Sequence, residues 1–443
     1  MMIDKHIFRA YDIRGVAGET LTLEIMMKVG LAVGGPERIL VGNDIRSSSL
    51  EMKDALIRGL KAKGAKVQYI GTTCFGQTLY AGYKLGHEKI LFVTASHLPP
   101  EWNGVKMFHN DGEGFSSEEM ARIRDTVMSM GDAVPGREGS VENVDAKRLY
   151  AKHLMERFPI KRKFKVVVDC GNGSMCLLAP QLLKSYGFDV IELYCDVDPR
   201  FPNRPSEPTR ENIKVLRERV VREKADIGFA FDGDGDRCML VDDTGRVLKS
   251  DAIGTVIAKD MLKKGKCTIV DTVSCSVYVA DILKPLGATI RTIQVGHTFV
   301  GQACKKYGAP LGFEESGHIF LPDGYYFDDG MLAVLRFMQA VGDKNVSEVM
   351  KDIPEYPFVE LTFNVPDDKK FAIIKNLQQR FKAEFEDVNT LDGVKVSFGD
   401  AWALVRCSNT SPIIRIMAEA KTKKRLEEMR SLMEMSLMEE IEK

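Results

Sequence analysis

The stretch Asp226-Ile-Gly-Phe-Ala-Phe-Asp-Gly-Asp-Gly-Asp-Arg237 sets a short apolar run directly before three aspartates on alternate residues. An unbroken run of this length reads as a parallel strand covered on both faces. Asp232, Asp234 and Asp236 then fall at the strand's carboxyl end, where open α/β sheets hold their ligands. Carboxylates this close repel one another unless a cation lies between them, and hard oxygen donors suit Mg²⁺. The intervening glycines let the backbone bend so that the three side chains converge. An acidic surface turn is the alternative reading. A calcium hand does not fit, because Arg237 stands where that loop needs glycine and a strand, not a helix, leads in.

Working outward, similar strands recur: Arg38-Ile-Leu-Val-Gly-Asn, Lys89-Ile-Leu-Phe-Val-Thr, Lys165-Val-Val-Val-Asp and Cys267-Thr-Ile-Val-Asp. Between them lie helical patterns. Ser48 with Glu51 predicts a capping box for a helix carrying Met52, Leu56 and Leu60 on one face and stopping at Gly64. Ser116 with Glu119 predicts a second, with Met120, Ile123, Val127 and Met130 inward. Gly131 to Asp145 reads as a linker, and Asp328 to Val341 as a helix. Several strands end in polar or glycine-containing loops, which suggests a repeated architecture without an identity repeat. After Ile353-Pro-Glu-Tyr-Pro the pattern alternates from Phe358 to Val365. A helix face follows, marked by Phe371, Ile374, Leu377, Phe381 and Phe385. Further alternating strands, around Trp402 and Ile413, precede a charged amphipathic last helix. That order suits a small antiparallel α+β domain.

The chain has 443 residues, too many for one core. It is 44% hydrophobic and 28% charged with a formal net charge of -1, which gives no electrostatic reason to expect nucleic acid or an anionic membrane. The longest apolar runs are strand-length, so no transmembrane span is expected. The amino terminus lacks a signal-peptide core. Nine cysteines without a C-x-x-C pair argue for reduced thiols, a cytoplasmic setting and no zinc site.

Other loops carry polar chemistry. Thr94-Ala-Ser-His-Leu-Pro-Pro100 puts Ser96 and His97 after a strand, as a nucleophile or as a solvated turn; there is no G-x-S-x-G elbow. Gly312-Phe-Glu-Glu-Ser-Gly-His318 offers Glu314, Ser316 and His318 to sugar hydroxyls, or is an ordinary loop. Arg406-Cys-Ser-Asn-Thr410, with Arg415 beyond, suits a phosphate dianion, or is a β-turn with a surface arginine. Phe8-Arg-Ala-Tyr-Asp-Ile-Arg-Gly15 brings Arg9 and Arg14 near Tyr11, and Arg46 follows Gly42-Asn-Asp. Surface salt bridges would account for these arginines without function.

Taken together and in this order, F-R-A-Y-D-I-R-G, T-A-S-H, D-G-D-G-D-R, G-x-E-x-S-G-H and R-x-S-N-T resemble the α-D-phosphohexomutase family, closest to phosphomannomutase/phosphoglucomutase. The resemblance runs from Phe8 to Ala420. It implies three related α/β domains with mixed, largely parallel sheets and a C-terminal α+β domain around a central cleft. The corresponding units are 1–144, 145–247, 248–355 and 356–443. It further implies interconversion of hexose 6-phosphate and hexose 1-phosphate, mannose and/or glucose. The route would be a phosphorylated Ser96 and a hexose 1,6-bisphosphate, which also serves as activator. Ser96, Asp232, Asp234 and Asp236 would hold Mg²⁺, with His97, Lys106, Arg14 and Arg237 catalytic. Tyr11, His297, Glu314, Ser316, His318, Arg406, Ser408, Asn409, Thr410 and Arg415 would bind substrate. Gly171-Asn-Gly173 matches a family loop and reads as structural. The partner is a small phosphosugar, with a monomer or homodimer expected. Departures are Leu98 for the usual asparagine, Asn43 for a larger residue, Thr73-Cys-Phe for a Thr-Pro pair, and Ser274 and Gly301 where some relatives carry lysine. Phosphoglucosamine is the nearest rival substrate. A phosphosugar-binding protein without turnover is the alternative of a different class.

Overall fold

A computed structural model describes residues 3–131, 139–408 and 412–442. Among them lie four sheets. The first contains β1 (Asp12–Val16), β2 (Arg38–Asn43), β3 (Lys66–Thr72), β4 (Lys89–Val93), β5 (Trp102–His109) and β6 (Ser140–Asn143), in the order β1-β5-β4-β2-β3-β6. The second contains β7 (Lys165–Asp169), β8 (Asp189–Leu193), β9 (Ile227–Phe231), β10 (Cys238–Asp242) and β11 (Val247–Leu248), in the order β11-β10-β9-β7-β8. The third contains β12 (Thr268–Thr272), β13 (Thr289–Ile293), β14 (Leu311–Phe313) and β15 (Ile319–Phe320), in the order β13-β12-β14-β15. The fourth is antiparallel: β16 (Phe358–Asn364), β17 (Val388–Asn389), β18 (Val394–Ser397), β19 (Ala401–Cys407) and β20 (Ile413–Ala420), in the order β16-β20-β19-β18-β17.

The repeat that identity could not reveal is topological. β3-β2-β4-β5, β8-β7-β9-β10 and β13-β12-β14-β15 are the same unit: three parallel strands and one antiparallel strand. The connection into the antiparallel strand holds Ser96 in the first unit, the three aspartates in the second, and Glu314 to His318 in the third. Three equivalent loops therefore carry three different sets of polar side chains.

One large apolar cluster ties these units together. Phe75 and Phe92 from the first unit, Phe229 and Phe231 from the second and Phe313 and Phe327 from the third all belong to it. The helix Gly330–Val341 belongs to this cluster and is buried along most of its length, with Gln339 and Ala340 on its partly open side and the buried Arg336 paired with Asp260 Oδ2 at 2.7 Å.

Several local expectations need correction. Ser48 makes no side-chain cap to the helix Ser49–Ala62; its Oγ instead accepts from Asn103 Nδ2 at 2.8 Å. The Ser116–Glu119 box does form, on the helix Ser117–Ser129, but Met130 is its C-cap rather than part of the buried face. Part of the expected linker is β6, an edge strand parallel to β3, while 132–138 lie outside the described residues. In the helix Asp367–Glu384, Ile374, Leu377 and Phe381 are buried, whereas Phe371 is 63% exposed and Phe385 caps the end. β19 is buried at every residue instead of alternating. One face packs on the unit's own helices, and the other, through Trp402 and Leu404, packs on Val273 of the third unit.

Candidate active site

The aspartate loop Asp232–Asp236 is held by its backbone before its side chains enter the argument. Ser174 N donates to Gly233 O (2.9 Å), Phe75 N to Asp234 O (2.9 Å) and Gly330 N to Gly235 O (3.3 Å). Each donor begins a helix, and together they come from all three α/β units, so the otherwise unpaired amides at three helix starts fix the loop. Gly233 allows the serine loop to approach: a Cβ there would lie 2.4 Å from Ser96 O. Gly235, at φ +87, adopts the left-handed turn that aims its neighbours inward.

Asp232, Asp234 and Asp236 are all buried, and their ligand oxygens lie within 4.8 Å of one another. Asp234 Oδ1 and Asp236 Oδ1 have no hydrogen-bond partner among the described residues. Burial and mutual repulsion push Asp232 and Asp234 above the ordinary carboxylate range. Burial would raise Asp236 too, but Lys106, His318 and Arg237 hold it well below that range. A cage of hard oxygen donors with unsatisfied atoms and excess negative charge fits a small divalent cation such as Mg²⁺.

Ser96 lies against this cage. Its Oγ donates to Asp232 Oδ2 at 2.9 Å and stands 3.4 Å from His97 Nδ1. Its φ is +52, a left-handed conformation that a serine adopts only when its surroundings impose it. Arg46 supplies that constraint. It is 2% exposed, and its guanidinium donates to the carbonyls of Ser96 (2.8 Å), Leu98 (2.6 Å), Pro99 (2.5 Å) and Trp102 (3.1 Å). Asp44 accepts from Arg46 Nε at 3.1 Å and from Thr94 Oγ1 at 2.8 Å, tying the arginine to the same loop. Surface pairing is therefore the wrong account of Arg46. Arg14 likewise pairs with Asp12, a carboxylate only 1% exposed, through Nε and Nη2 at 2.7 Å each.

The remaining predicted catalytic cations surround the cage. Lys106 Nζ lies 3.0 Å from Asp234 and also contacts Asp236. Burial lowers its pKa, but those two carboxylates outweigh it and hold the ammonium charged. Arg237 stands 3.5 Å from Asp232 and 3.8 Å from Asp236, and its Nε and Nη2 have no hydrogen-bond partner among the described residues. His97 is kept neutral, its pKa well below the usual value through burial and then Arg237.

A cavity of about 120 Å³ gathers Tyr11, His297, Glu314, Ser316, His318, Arg406, Ser408 and Arg415. Asn409 and Thr410 lie outside the described residues. Tyr11 packs edge-on against His297 (4.5 Å between centroids), and His297 stacks on His318 (5.0 Å). Glu314 Oε2 accepts from Gly296 N at 3.0 Å, Oε1 has no partner among the described residues, and burial raises the carboxyl to about 8. Arg406 donates from Nε to Asp392 Oδ2 (2.9 Å), and Arg415 pairs with Glu360 (2.7 Å). Sequence reasoning missed two groups. Asp328 binds His318 Nδ1 and, with Asp236, closes a second carboxylate–imidazole cluster. Asp392 joins Arg406 to Val295 N (2.9 Å) of the third unit. Asp328 carried one signal, an Asp-Asp pair ahead of an apolar run; Asp392 carried none.

The departures also find places. Gly301 has no room for a side chain, since a Cβ would lie 2.7 Å from Tyr326 O. Ser274 is buried beside Thr272 Oγ1 (3.0 Å). Asn43 is buried and accepts from Tyr69 OH at 2.7 Å. Leu98 leaves its loop anchored, because its carbonyl accepts from both Arg46 and Ser206 Oγ.

Comparison with known proteins matches phosphoglucomutase/phosphomannomutase α/β/α domain I to residues 5–132, domain II to 148–245, domain III to 249–356 and the C-terminal domain to 360–434. The chain belongs to the phosphoglucomutase/phosphomannomutase family. It is 36% identical to a phosphomannomutase/phosphoglucomutase of Pseudomonas aeruginosa, over 96% of this chain and 94% of that protein. It is 32% identical to a probable phosphoglucosamine mutase of Methanopyrus kandleri, over 96% of each. A crystal structure of a phosphoglucomutase/phosphomannomutase family protein from Burkholderia thailandensis superposes with a TM-score of 0.91 at 30% identity, covering 99% and 98% of the two chains. Among the described residues no helix is long and apolar enough to cross a membrane.

Proposed function

We propose that this protein is an Mg²⁺-dependent phosphohexomutase that interconverts hexose 6-phosphate and hexose 1-phosphate, with mannose and/or glucose as the sugar. The proposed units 1–144, 145–247, 248–355 and 356–443 each lend one element to the reaction: nucleophile, metal cage, sugar grip and phosphate clamp. The observation that carries the reading is Ser96, a buried hydroxyl in an imposed left-handed conformation, hydrogen-bonded to one member of a three-carboxylate cage.

In the proposed cycle Ser96 carries the migrating phosphoryl group. Asp232, Asp234 and Asp236, with the serine oxygen, would hold Mg²⁺, which neutralises charge on the phosphoryl oxygens when bound. Arg237 has free donors beside the same place and can pair with phosphoryl oxygens directly. Arg46 fixes the direction of the serine loop. Neutral His97 can accept the hydroxyl proton of the sugar, while Lys106, held charged, can stabilise the developing oxyanion. At the other end Arg406 and Arg415 would clamp the phosphate that is not reacting, and Glu314, Ser316 and His318 the ring hydroxyls. A hexose 1,6-bisphosphate would form, turn over in the cleft and return its other phosphate to Ser96.

Intact-mass analysis should find one phosphoryl group mapping to Ser96, and Ser96→Ala should remove turnover. Full activity in that variant would end the covalent reading. A kcat/KM comparison of mannose, glucose and glucosamine 1-phosphates, primed with bisphosphate, ranks the substrates. Glucosamine is the second reading, supported by the likeness to a probable phosphoglucosamine mutase.

A further inference from the structure

We propose that Cys170 and Cys195 are an oxidative modification site: a dithiol that a peroxide closes to a disulfide, displacing the turn that backs the aspartate loop. The two Sγ atoms are 3.2 Å apart. Cys170 directly follows the last residue of β7, and Cys195 lies two residues past the end of β8; these strands are parallel neighbours, with Asp169 partnering Leu193. A bonded S–S distance is about 2.0 Å, so closure needs roughly an ångström of approach from side chains already facing each other.

The environment assigns the two sulfurs different tasks. Cys195 is half-buried and Cys170 fully buried, so an oxidant meets Cys195 before Cys170; Cys176, also half-buried and near Cys170, instead turns its Sγ to Tyr194 O at 3.6 Å. The hydrogen bond between the thiols lowers the Cys195 pKa, and burial raises that of Cys170. The Cys195 thiolate takes one oxygen as the peroxide O–O bond breaks. With the proton it gave up, this yields a sulfenic acid and one water. The Cys170 sulfur then attacks the sulfenic sulfur and its proton leaves with the displaced hydroxide as a second water. Two electrons pass from the thiol pair to the peroxide, and a reducing thiol reverses the change.

Both sulfurs root a wedge behind the aspartates. Cys170 O accepts from Gly173 N (2.8 Å), Ser174 N donates to Gly233 O (2.9 Å), and Asn172 N donates to Tyr194 O (2.8 Å) beside Cys195. Asn172 and Tyr194 are both held at positive φ, 61 and 51 respectively. Met175 fills the space behind Gly235, its Sδ 2.4 Å from where a Cβ would stand. Closing the disulfide draws Cys170 and Cys195 together and shifts this turn, and with it the carbonyl between Asp232 and Asp234.

The test uses the full-length reduced protein treated with hydrogen peroxide, then freed of excess oxidant. Intact mass should fall by two hydrogens, peptide mapping should link Cys170 to Cys195, and dithiothreitol should restore the mass. The Mg²⁺ concentration giving a half-maximal thermal shift should rise roughly ten-fold on oxidation, the scale of disturbing the outer shell of a metal site. It should return on reduction. Cys195→Ser should abolish both changes and Cys176→Ser should keep them. If Cys195→Ser fails to fold, the oxidised and reduced wild-type protein still decide the matter. A link to Cys176, no link, or a linked protein with an unchanged Mg²⁺ requirement would overturn the proposal. The mapping is decided without any measurement of turnover, so its failure is distinct from failure of the mutase reading.

Discussion

Ser96 shows how residues distant in sequence impose the backbone conformation of a single buried side chain. A non-glycine residue at positive φ costs of order 1–3 kcal/mol, which other contacts must offset. Arg46 does so through four carbonyl acceptors and Asp44. Arg46→Met should therefore lower stability by about 3–5 kcal/mol, because it also leaves the Asp44 carboxylate buried beside an apolar side chain. Urea denaturation measures this. A loss below about 1 kcal/mol would place the constraint elsewhere.

At the scale of elements, the packing of the fourth sheet explains how Arg406, proposed as part of the phosphate clamp, reaches the cavity it shares with Glu314 and His318. Its β19 is buried on both faces because Trp402 and Leu404, with Met417 of the neighbouring β20, pack against Val273. Polar straps flank that contact: Ser276 Oγ donates to Glu419 (2.8 Å), Lys395 Nζ to Val273 O (2.7 Å), and Asp392 links Val295 N to Arg406. Asp392→Ala removes a charged hydrogen bond that orients Arg406. The KM for the phosphosugar should rise about ten-fold with kcat little changed, since a hydrogen bond to a charged group is worth about 1.5–3 kcal/mol. An unchanged KM in steady-state kinetics would remove Asp392 from the positioning of the clamp.

For the whole molecule, titratable groups buried in the cleft and in the core make stability depend on pH in a direction that can be worked out. Burial raises Glu314 from 4.5 to about 8 and Asp329 from 3.8 to about 7. Groups raised in this way bind protons more tightly when folded, so their stabilisation is lost as pH rises towards the folded value. Burial lowers His318 from 6.5 to about 3, and His297 and His153 from 6.5 to about 4. Their stabilisation is present above 6.5 and is lost as pH falls. Below about pH 6.5 the two sets oppose each other; above it only the acids act. In EDTA the melting temperature should fall between pH 6.5 and pH 8, and Mg²⁺ should raise it more at pH 8. Differential scanning calorimetry at the two pH values checks this, and a melting temperature that rises with pH in EDTA would refute it.

The strands, the aspartate loop and the order of the motifs were legible in the chain itself, because each rests on local properties: an apolar run, a glycine beside a carboxylate, a turn after a strand. Ser116 and Glu119 could be read as a cap for the same reason, since both partners lie within one turn. Ser48 could not, because Asn103, far along the chain, takes its hydroxyl. The same division governs the site. Sequence named Ser96 and the three aspartates, yet only folding could bring residues 136 positions apart to 2.9 Å. Only folding, too, turned Arg46 from an apparent surface arginine into the pin of the serine loop and recruited Asp328 and Asp392. Long-range burial and hydrogen bonding leave no period in the sequence, so what depends on them is decided in three dimensions.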